Sequence, residues 1–264
     1  MDSVNRTLYI PLYGKSYVSR KNIILRDPKA EEIWDTEGFA LKGKSRSKWL
    51  AYNMAMRARV FDDWTARMIA GHPHAAVIHA GCGLDSRCLR VSEPYETWYD
   101  CDLPDVISVR KRYYRETDAY HMISLDASDP SQTAQLPDRK EAVVVMEGLS
   151  MYLSSEQLRG FFSALQEKYE SLYILMDVYT VFGAKASKYK NPVNDVGVSV
   201  LYGIDDMDEL LSGLEIRFKA EHTFTPDRLI NELKPAEKIF FRILFTGRMY
   251  GKIYRLYELV KESV

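Results

Sequence analysis

A pair of glycines follows an apolar segment near the middle of the chain, within Ala80-Gly81-Cys82-Gly83-Leu84-Asp85. Two glycines one residue apart let the backbone turn sharply and approach a ligand closely. The turn lacks the third glycine of the dinucleotide fingerprint, because Asp85 and Ser86 stand two and three positions beyond Gly83. An acid beside the turn would repel a pyrophosphate but suit the amino group of a cationic ligand. The turn favours S-adenosylmethionine (SAM) over NAD, and a purely structural turn is the alternative.

Acidic residues follow the next three apolar segments. Asp100 and Asp102 end the second segment, about 20 positions after the turn, where an acid accepts hydrogen bonds from ribose hydroxyls. Capping of the following helix is the other interpretation of Asp102. Asp126 ends the third segment, beside an adenine or merely within a turn. Glu147 follows the fourth, where a carboxylate needs a partner, either a ligand ammonium or an arginine.

Short apolar segments alternate with helix-length stretches through the centre of the chain. Apolar runs of this length suit parallel strands covered on both faces, and the alternation favours a doubly wound, Rossmann-like α/β fold. The predicted strands are 75–80, 96–99, 120–125, 142–146 and 172–176. Because the carboxyl ends of parallel strands share one edge of a sheet, the glycines and acids are expected to meet there.

The remaining segments have less regular patterns. Residues 48–70 predict a long helix, and Ser154 caps another with Gln157 three positions later. Residues 179–202 are mixed and indicate a lid or insertion. Residues 205–211 indicate a short helix and 214–224 a strand. The segment from Lys234 onward is rich in Phe, Tyr and Arg, and its boundaries stay undecided.

Composition limits the class of protein. The 264 residues are enough for one large domain, and 36 Lys and Arg balance 37 Asp and Glu. This balance supports neither a nucleic-acid partner nor a membrane surface. The start of the chain has no signal-peptide layout and no stretch suits a membrane span, so we expect a cytoplasmic protein. Three cysteines without CxxC spacing indicate free thiols and predict no metal site.

The ordered set of motifs resembles a known family. The segments 81–87, 102–104 and 147–153, with Asp126 between them, are similar to the leucine carboxyl methyltransferase family. The similarity is greatest to the bacterial branch typified by the tetracenomycin polyketide O-methyltransferase. It extends to Ile10-Pro11-Leu12-Tyr13-Gly14-Lys15 and Asp27-Pro28-Lys29-Ala30, covers most of residues 7–155, and fades beyond about residue 180.

The resemblance implies a class I SAM-dependent methyltransferase fold in one domain. Its mostly parallel seven-stranded sheet would have helices on both faces, extra N-terminal helices and a variable lid. The implied parts are an N-terminal helical cap at 1–72, a cofactor-binding core at 73–178, a lid or substrate region at 179–213, and C-terminal strands and helices at 214–264.

The resemblance also implies roles for individual residues. Arg59 matches the arginine that pairs with the SAM carboxylate; Arg57 and Arg59 point about 200° apart on a helix, so only one can face a pocket. Cys82 stands where a small Ala is usual, which should be harmless. The other implied cofactor-binding residues are Gly81, Gly83, Asp102, Asp126 with the adjacent Ala127, and Glu147.

The implied reaction is methylation of a carboxylate or a phenolic hydroxyl on a small molecule, such as a polyketide-like metabolite. A carboxylate is ionised at neutral pH and needs no general base, whereas a phenol benefits from one. The histidines provide no unambiguous base, which favours a carboxylate. Candidates for the lining of the acceptor pocket are Tyr13, Tyr17, Tyr152 and Tyr179. The alternatives are a protein carboxyl methyltransferase, a nicotinamide-dependent oxidoreductase and a non-catalytic SAM-binding protein.

Overall fold

One seven-stranded sheet organises the computed structural model, which describes residues 7–38, 41, 43–190 and 201–263. The strand order is β3-β2-β1-β4-β5-β7-β6. The first five strands pair in parallel, and β7 runs antiparallel to both of its neighbours. The strands are β1 Ala76–Ala80, β2 Thr97–Asp102, β3 Tyr120–Ser124, β4 Glu141–Met146, β5 Ser171–Tyr179, β6 Arg217–His222 and β7 Tyr254–Lys261.

The central strands are buried on both faces, as their continuous apolar runs predict. Alternate residues of β4 belong to two different apolar clusters. Val144 packs in the cluster that contains Phe161, and Val143 packs in the cluster that contains Phe61 and Trp64. The sheet is therefore a layer between two cores, which confirms the predicted α/β class.

The helices that cover this sheet begin and end at recognisable signals. Ser47 caps the long helix α3 by accepting from the amide of Trp49, and Ser154 with Gln157 forms the predicted capping box of α6. The α-helices are α1 Tyr9–Ser19, α2 Pro28–Glu37, α3 Lys48–Gly71, α4 Arg87–Arg90, α5 Pro104–Arg110, α6 Ser155–Lys168, α7 Val181–Lys190, α8 Met207–Leu211, α9 Asp227–Ile230, α10 Pro235–Phe245 and α11 Arg248–Gly251.

The structure lengthens two of the predicted strands. β2 reaches Asp102 and β5 reaches Tyr179, beyond the apolar runs that predicted them. An aspartate follows each apolar run, Asp100 in β2 and Asp177 in β5, so apolar patterning alone does not detect the extensions, which neighbouring strands hold in place. The segment from Lys234 contains α10, α11 and the antiparallel strand β7, which lies between β5 and β6.

The predicted lid lies only partly within the described residues. Residues 181–190 form α7 and 207–211 form α8, whereas 191–200 lie outside the described part of the chain. At the other end of the chain, α1 packs along α3 and brings residues 7–15 over the carboxyl edge of the sheet. That edge is where the predicted glycines and acids meet.

Candidate cofactor and acceptor site

A cavity of about 550 Å³ lies at the carboxyl ends of β1, β2, β3 and β4, beneath α1 and α3. Two regions of its wall differ in chemistry. Residues that follow the parallel strands form a polar end, and rings from α10, β5 and β7 form an aromatic end. The predicted residues on the wall are Gly81, Gly83, Asp102, Asp126, Ala127, Glu147, Tyr152 and Tyr179.

The glycine turn and Asp102 form one hydrogen-bonded unit. Gly81 and Gly83 have φ angles of +69° and +53°, which favour glycine strongly. One carboxylate oxygen of Asp102 accepts from the amide of Gly83 at 2.7 Å, and the other accepts from Leu103 at 2.8 Å. A carboxylate has about four lone-pair positions, so Asp102 keeps acceptor capacity toward the cavity.

Asp100 satisfies the same sequence spacing but has a structural role. It accepts hydrogen bonds from Arg110, Tyr120 and the indole of Trp98, and it is fully buried. Burial by itself would raise the pKa of Asp100, but Arg110 outweighs it and holds the pKa at about 2. Of the two acids left open by spacing, the structure brings only Asp102 to the cavity.

Asp126 and Ala127 lie on the cavity wall after β3. Asp126 Oδ1 accepts from the amide of Ser128 at 2.8 Å, and the Asp126 amide donates to Gln132. These bonds fix the loop and leave the second carboxylate oxygen of Asp126 without a hydrogen bond among the described residues. An exocyclic amine could use that oxygen.

Glu147 belongs to a continuous network of buried charges, here called the ion cluster. Its carboxylate binds Arg57 at 3.0 Å and also contacts Arg87. Burial raises the pKa of Glu147, but Arg57 and Arg87 outweigh this and hold the pKa at about 2. The cluster contains the cations Lys15, Arg57, Arg87 and Arg90 and the carboxylates of Asp27, Asp62, Asp85, Glu147 and Asp177.

Asp85 is a member of this cluster, which corrects the role inferred from its position beside the glycine turn. Its carboxylate pairs with Lys15 at 3.1 Å and Arg90 at 2.6 Å, and Arg87 lies 3.4 Å away. Burial raises the pKa of Asp85, but these cations outweigh it and hold the pKa well below its usual range. Its charge is already balanced, so Asp85 is not a free acid for a cationic ligand.

The structure also corrects the prediction of which arginine in α3 faces the cavity. Arg57 faces the cavity and binds Glu147 and Asp177, the latter at 2.9 Å. Arg59 lies outside the cavity, where it pairs with Asp63 at 2.8 Å and its side chain is 42% exposed. The predicted choice of Arg59 as the pocket arginine is therefore wrong in placement, because helix phase relative to the sheet decides which one turns inward.

The aromatic end of the cavity comes from segments far apart in sequence. Tyr152 and Tyr179 lie there as predicted, but Tyr13 and Tyr17 do not: they pack against Trp34 and Tyr52 outside the cavity. Sequence reasoning missed the residues that complete this wall, because no local motif marks them. They are Leu50, Asn53, Met54, Phe245, Tyr250, Ile253 and Tyr254.

Tyr254 connects the two ends of the cavity. Its hydroxyl accepts from Arg57 Nη1 at 2.7 Å and donates to Asp177, and its ring stacks on Phe224 at 4.7 Å between centroids. Asp177 also accepts from the amide of Gly148 at 2.7 Å. The last strand thus joins the ion cluster, which the undecided sequence pattern after Lys234 did not predict.

His79 lines the cavity but offers no free base. Its Nε2 lies 2.9 Å from Arg87 Nη1, which donates to it, and its Nδ1 lies 3.2 Å from Asp100. Burial and the neighbouring Arg87 lower the pKa of His79. Its side chain is 1% exposed, so His79 belongs to the buried interior.

Comparison with known proteins identifies the family of the chain. The model of the leucine carboxyl methyltransferase family matches residues 13–166, more than half of the chain. The chain belongs to the leucine carboxyl methyltransferase family. It is a SAM-dependent methyltransferase, so the oxidoreductase alternative is excluded.

Two relatives match this methyltransferase over most of their length. The tetracenomycin polyketide synthesis O-methyltransferase TcmP of Streptomyces glaucescens is 29% identical over 244 residues, covering 90% of this chain and 89% of the relative. The S-adenosyl-L-methionine-dependent methyltransferase dpfgK of Gibberella zeae is 26% identical over 245 residues, covering 82% of each chain.

Solved structures agree with the fold of the methyltransferase. Magnesium protoporphyrin IX methyltransferase from Synechocystis with bound SAM has a TM-score of 0.51 at 12% identity, covering 89% of this chain and 98% of that one. A SAM-dependent methyltransferase from Anabaena variabilis has a TM-score of 0.52 at 13% identity, covering 78% and 86%. At these identities the agreement concerns the fold alone.

The polar end of the cavity fits SAM by the chemistry of its groups. The turn at Gly81 and Gly83 permits close approach of the backbone, and Asp102 and Asp126 present acceptors to hydroxyls and an amine. Glu147 and Arg57 lie side by side as an ion pair, which an amino-acid moiety with one charge of each sign could join without leaving either residue unpaired. Within the described residues, no helix has the length and apolar character to cross a membrane, and no three His, Cys, Asp or Glu are grouped for a metal.

Proposed function

We propose that the chain transfers the methyl group of SAM to an oxygen of a small aromatic acceptor, with a carboxylate as the preferred nucleophile. The supporting observation is the aromatic end of the cavity, which adjoins the polar end through Tyr254 and Arg57. Its rings offer flat apolar surfaces that suit a fused aromatic acceptor. The name of the relative TcmP, a tetracenomycin polyketide synthesis O-methyltransferase, agrees with such an acceptor.

The residues at the polar end would hold the cofactor. Asp102 would accept from the ribose hydroxyls, Asp126 with Ala127 would lie at the adenine, and Glu147 with Arg57 would face the amino-acid end. SAM supplies a methyl group already activated by its sulfonium, so that the acceptor oxygen takes the methyl while the bonding electron pair stays on sulfur. The protein's task is then to hold the acceptor oxygen in line and to exclude water.

The choice of a carboxylate rests on the lack of a free base among the described lining residues other than Asp102 and Asp126, which we assign to the cofactor. Glu147 is bound to arginines, Asp85 is bound to Lys15 and Arg90, and His79 uses its Nε2 lone pair on Arg87. A carboxylate acceptor gives up no proton in the reaction, whereas a phenol must lose one. A carboxylate acceptor, which needs no general base, is therefore the nucleophile that this cavity wall suits.

Calorimetric titration with SAM, S-adenosylhomocysteine (SAH) and NAD, followed by methyl transfer from labelled SAM, tests the proposal. We expect SAM and SAH to bind, NAD to give no heat, and label to enter a panel of aromatic acids. Mild alkali should release the label as methanol, because an ester hydrolyses and a phenolic ether does not. Transfer to none of a panel of acids and phenols would sink the small-molecule assignment and leave a protein acceptor or a non-catalytic binding role.

A further inference from the structure

The ion cluster contains fewer cations than carboxyl groups. Its nine members comprise four cations and five carboxyl groups, all joined by ion pairs within the described part of the chain. Its best-buried members, Arg87 and Asp177, have no exposed side-chain surface. Burial raises the pKa of Asp177, which Arg57 offsets only in part. With or without the charge of Asp177, the cluster presents no excess positive charge to the adjoining cavity.

Among the described residues, the Lys and Arg side chains that line the cavity are already paired. Lys15 is held by Asp85 at 3.1 Å, and Arg57 is held by Glu147 and Asp177. Any carboxylate of this wall that lost its cation to an acceptor would be left as an unpaired buried charge, which is strongly unfavourable. An anionic acceptor therefore meets no free Lys or Arg in the part of the cavity that the structure describes.

The aromatic end instead presents neutral hydrogen-bonding groups. Asn53 is 2% exposed, lies on the wall, and has an Nδ2 donor without a partner among the described residues. Its Oδ1 accepts from the hydroxyl of Tyr250 at 3.1 Å, which fixes the orientation of the amide. A buried donor without a partner is unfavourable, and a bound acceptor oxygen would relieve that state.

We propose that a neutral donor, Asn53 Nδ2, binds the acceptor carboxylate, and that the positive charge of the cofactor balances it. This inference rests on the proposed function and adds a condition to it. An aromatic acid should bind only after the cavity has gained the charge that SAM carries and SAH lacks. The ester product is neutral, so no charge retains it once the methyl group has moved.

Affinity measurements without turnover test this condition. Benzoate, 2-naphthoate and anthracene-2-carboxylate are titrated into enzyme saturated with SAH or with sinefungin, an unreactive SAM analogue that keeps the extra positive charge. We expect 2-naphthoate to bind the sinefungin complex at least about tenfold more tightly than the SAH complex. Neutral 2-naphthamide, the matched control, should show no such preference.

Several results would overturn the inference. Equal affinity of the acids for both complexes would show that the cofactor's charge is irrelevant, and an equal preference by the amide would assign the effect to shape. Failure of all three acids to bind either complex would also overturn it. Methyl transfer to phenols but not to acids would overturn the inference while leaving small-molecule O-methylation in place, so the two failures are distinguishable.

Variants of Asn53 locate the donor. Asn53→Leu should lower the affinity of the sinefungin complex for 2-naphthoate about tenfold and leave sinefungin affinity within about twofold. Asn53→Asp adds a negative charge and should lower acid affinity further. The matched control is Thr65→Val in the same helix, since Thr65 is buried away from the cavity and bonds the carbonyl of Phe61. If Asn53→Leu bound 2-naphthoate with wild-type affinity, Asn53 would not be the donor. The comparison of the sinefungin and SAH complexes uses the wild-type protein, so it does not depend on whether a variant folds.

Discussion

The two ends of the cavity are built in different ways. The polar end takes its residues from the ends of successive strands, β1 to β4, in the order in which they occur along the chain. The aromatic end combines α3, β5, α10 and β7, which are separated by up to about two hundred residues. Charges and backbone turns hold the first end, and packed rings and neutral hydrogen bonds hold the second.

Because of this difference, we expect the two ends of the cavity to respond differently to substitution. In the ion cluster at the polar end, each carboxylate is paired with a cation that is itself largely buried, so one substitution disturbs several ion pairs. At the aromatic end, rings such as Phe245 and Tyr250 contact one another without charge. We expect substitutions at the polar end to change cofactor affinity and stability together, and those at the aromatic end to change the acceptor.

The largest expected effect distinguishes the two arginines of α3. Arg57→Ala leaves Glu147 and Asp177 buried with too few cations and should lower the free energy of unfolding by about 3–5 kcal/mol and abolish SAM binding. Arg59→Ala, the matched control, removes a half-exposed pair and should cost less than about 1 kcal/mol. Urea unfolding and calorimetry measure both. Equal effects of the two changes would contradict the placement of Arg57 at the cavity.

Acid should weaken the same end of the cavity. The pKa of Glu147 is about 2 in the folded protein, against an ordinary value of 4.5. Because the folded pKa is depressed, its stabilising contribution, about 3 kcal/mol, is complete above pH 4.5 and is lost as the pH falls toward 2.

The difference in unfolding free energy between wild type and Glu147→Gln should therefore shrink between pH 5 and pH 3, as followed by urea titration. Glu170→Gln is the control, because Glu170 is exposed and pairs only with exposed Lys140 at 3.5 Å. A difference that stays constant over this range would show that Glu147 is not held ionised by its arginines.

A smaller effect is expected at Asp102, the proposed ribose-binding residue. Asp102→Ala removes the acceptor that fixes the amide of Gly83 and faces the cavity, so SAM affinity should fall about 100-fold. Asp105→Ala, three residues later on the exposed first turn of α5, should leave it unchanged. Calorimetry decides. Similar losses in both variants would mean that helix charge, rather than contact with the cofactor, controls affinity.

The smallest effect is expected for Cys82, which lies between the two glycines but has no ionic partner. Burial raises the pKa of its thiol well above the usual range, so the side chain stays neutral and behaves as a small apolar group. Cys82→Ala should change SAM affinity by less than about twofold and stability by about 1 kcal/mol. Loss of methyl transfer in this variant would reveal a role for the thiol that the structure does not suggest.

The sequence alone determined the fold class and most of the polar end. Apolar runs at regular intervals predicted the five parallel strands, and each acid or glycine that ends a strand was necessarily carried to the same edge of the sheet. That is why Gly81, Gly83, Asp102, Asp126 and Glu147 meet on one wall although they span 67 positions of the sequence.

Tertiary structure decided the rest. Whether Arg57 or Arg59 faces inward depends on how α3 is rotated against the sheet, and a pattern with polar residues on both sides does not reveal it. Asp85 is paired with Lys15, which comes from the distant helix α1, and with Arg90, five positions along the chain, and the pattern of the glycine turn predicts neither contact. Tyr13 and Tyr17 pack elsewhere, while Asn53, Tyr250 and Tyr254 reach the cavity from α3 and the last third of the chain. The local sequence indicates where strands end. Contacts between residues far apart in the chain are determined only by the packing of the folded chain.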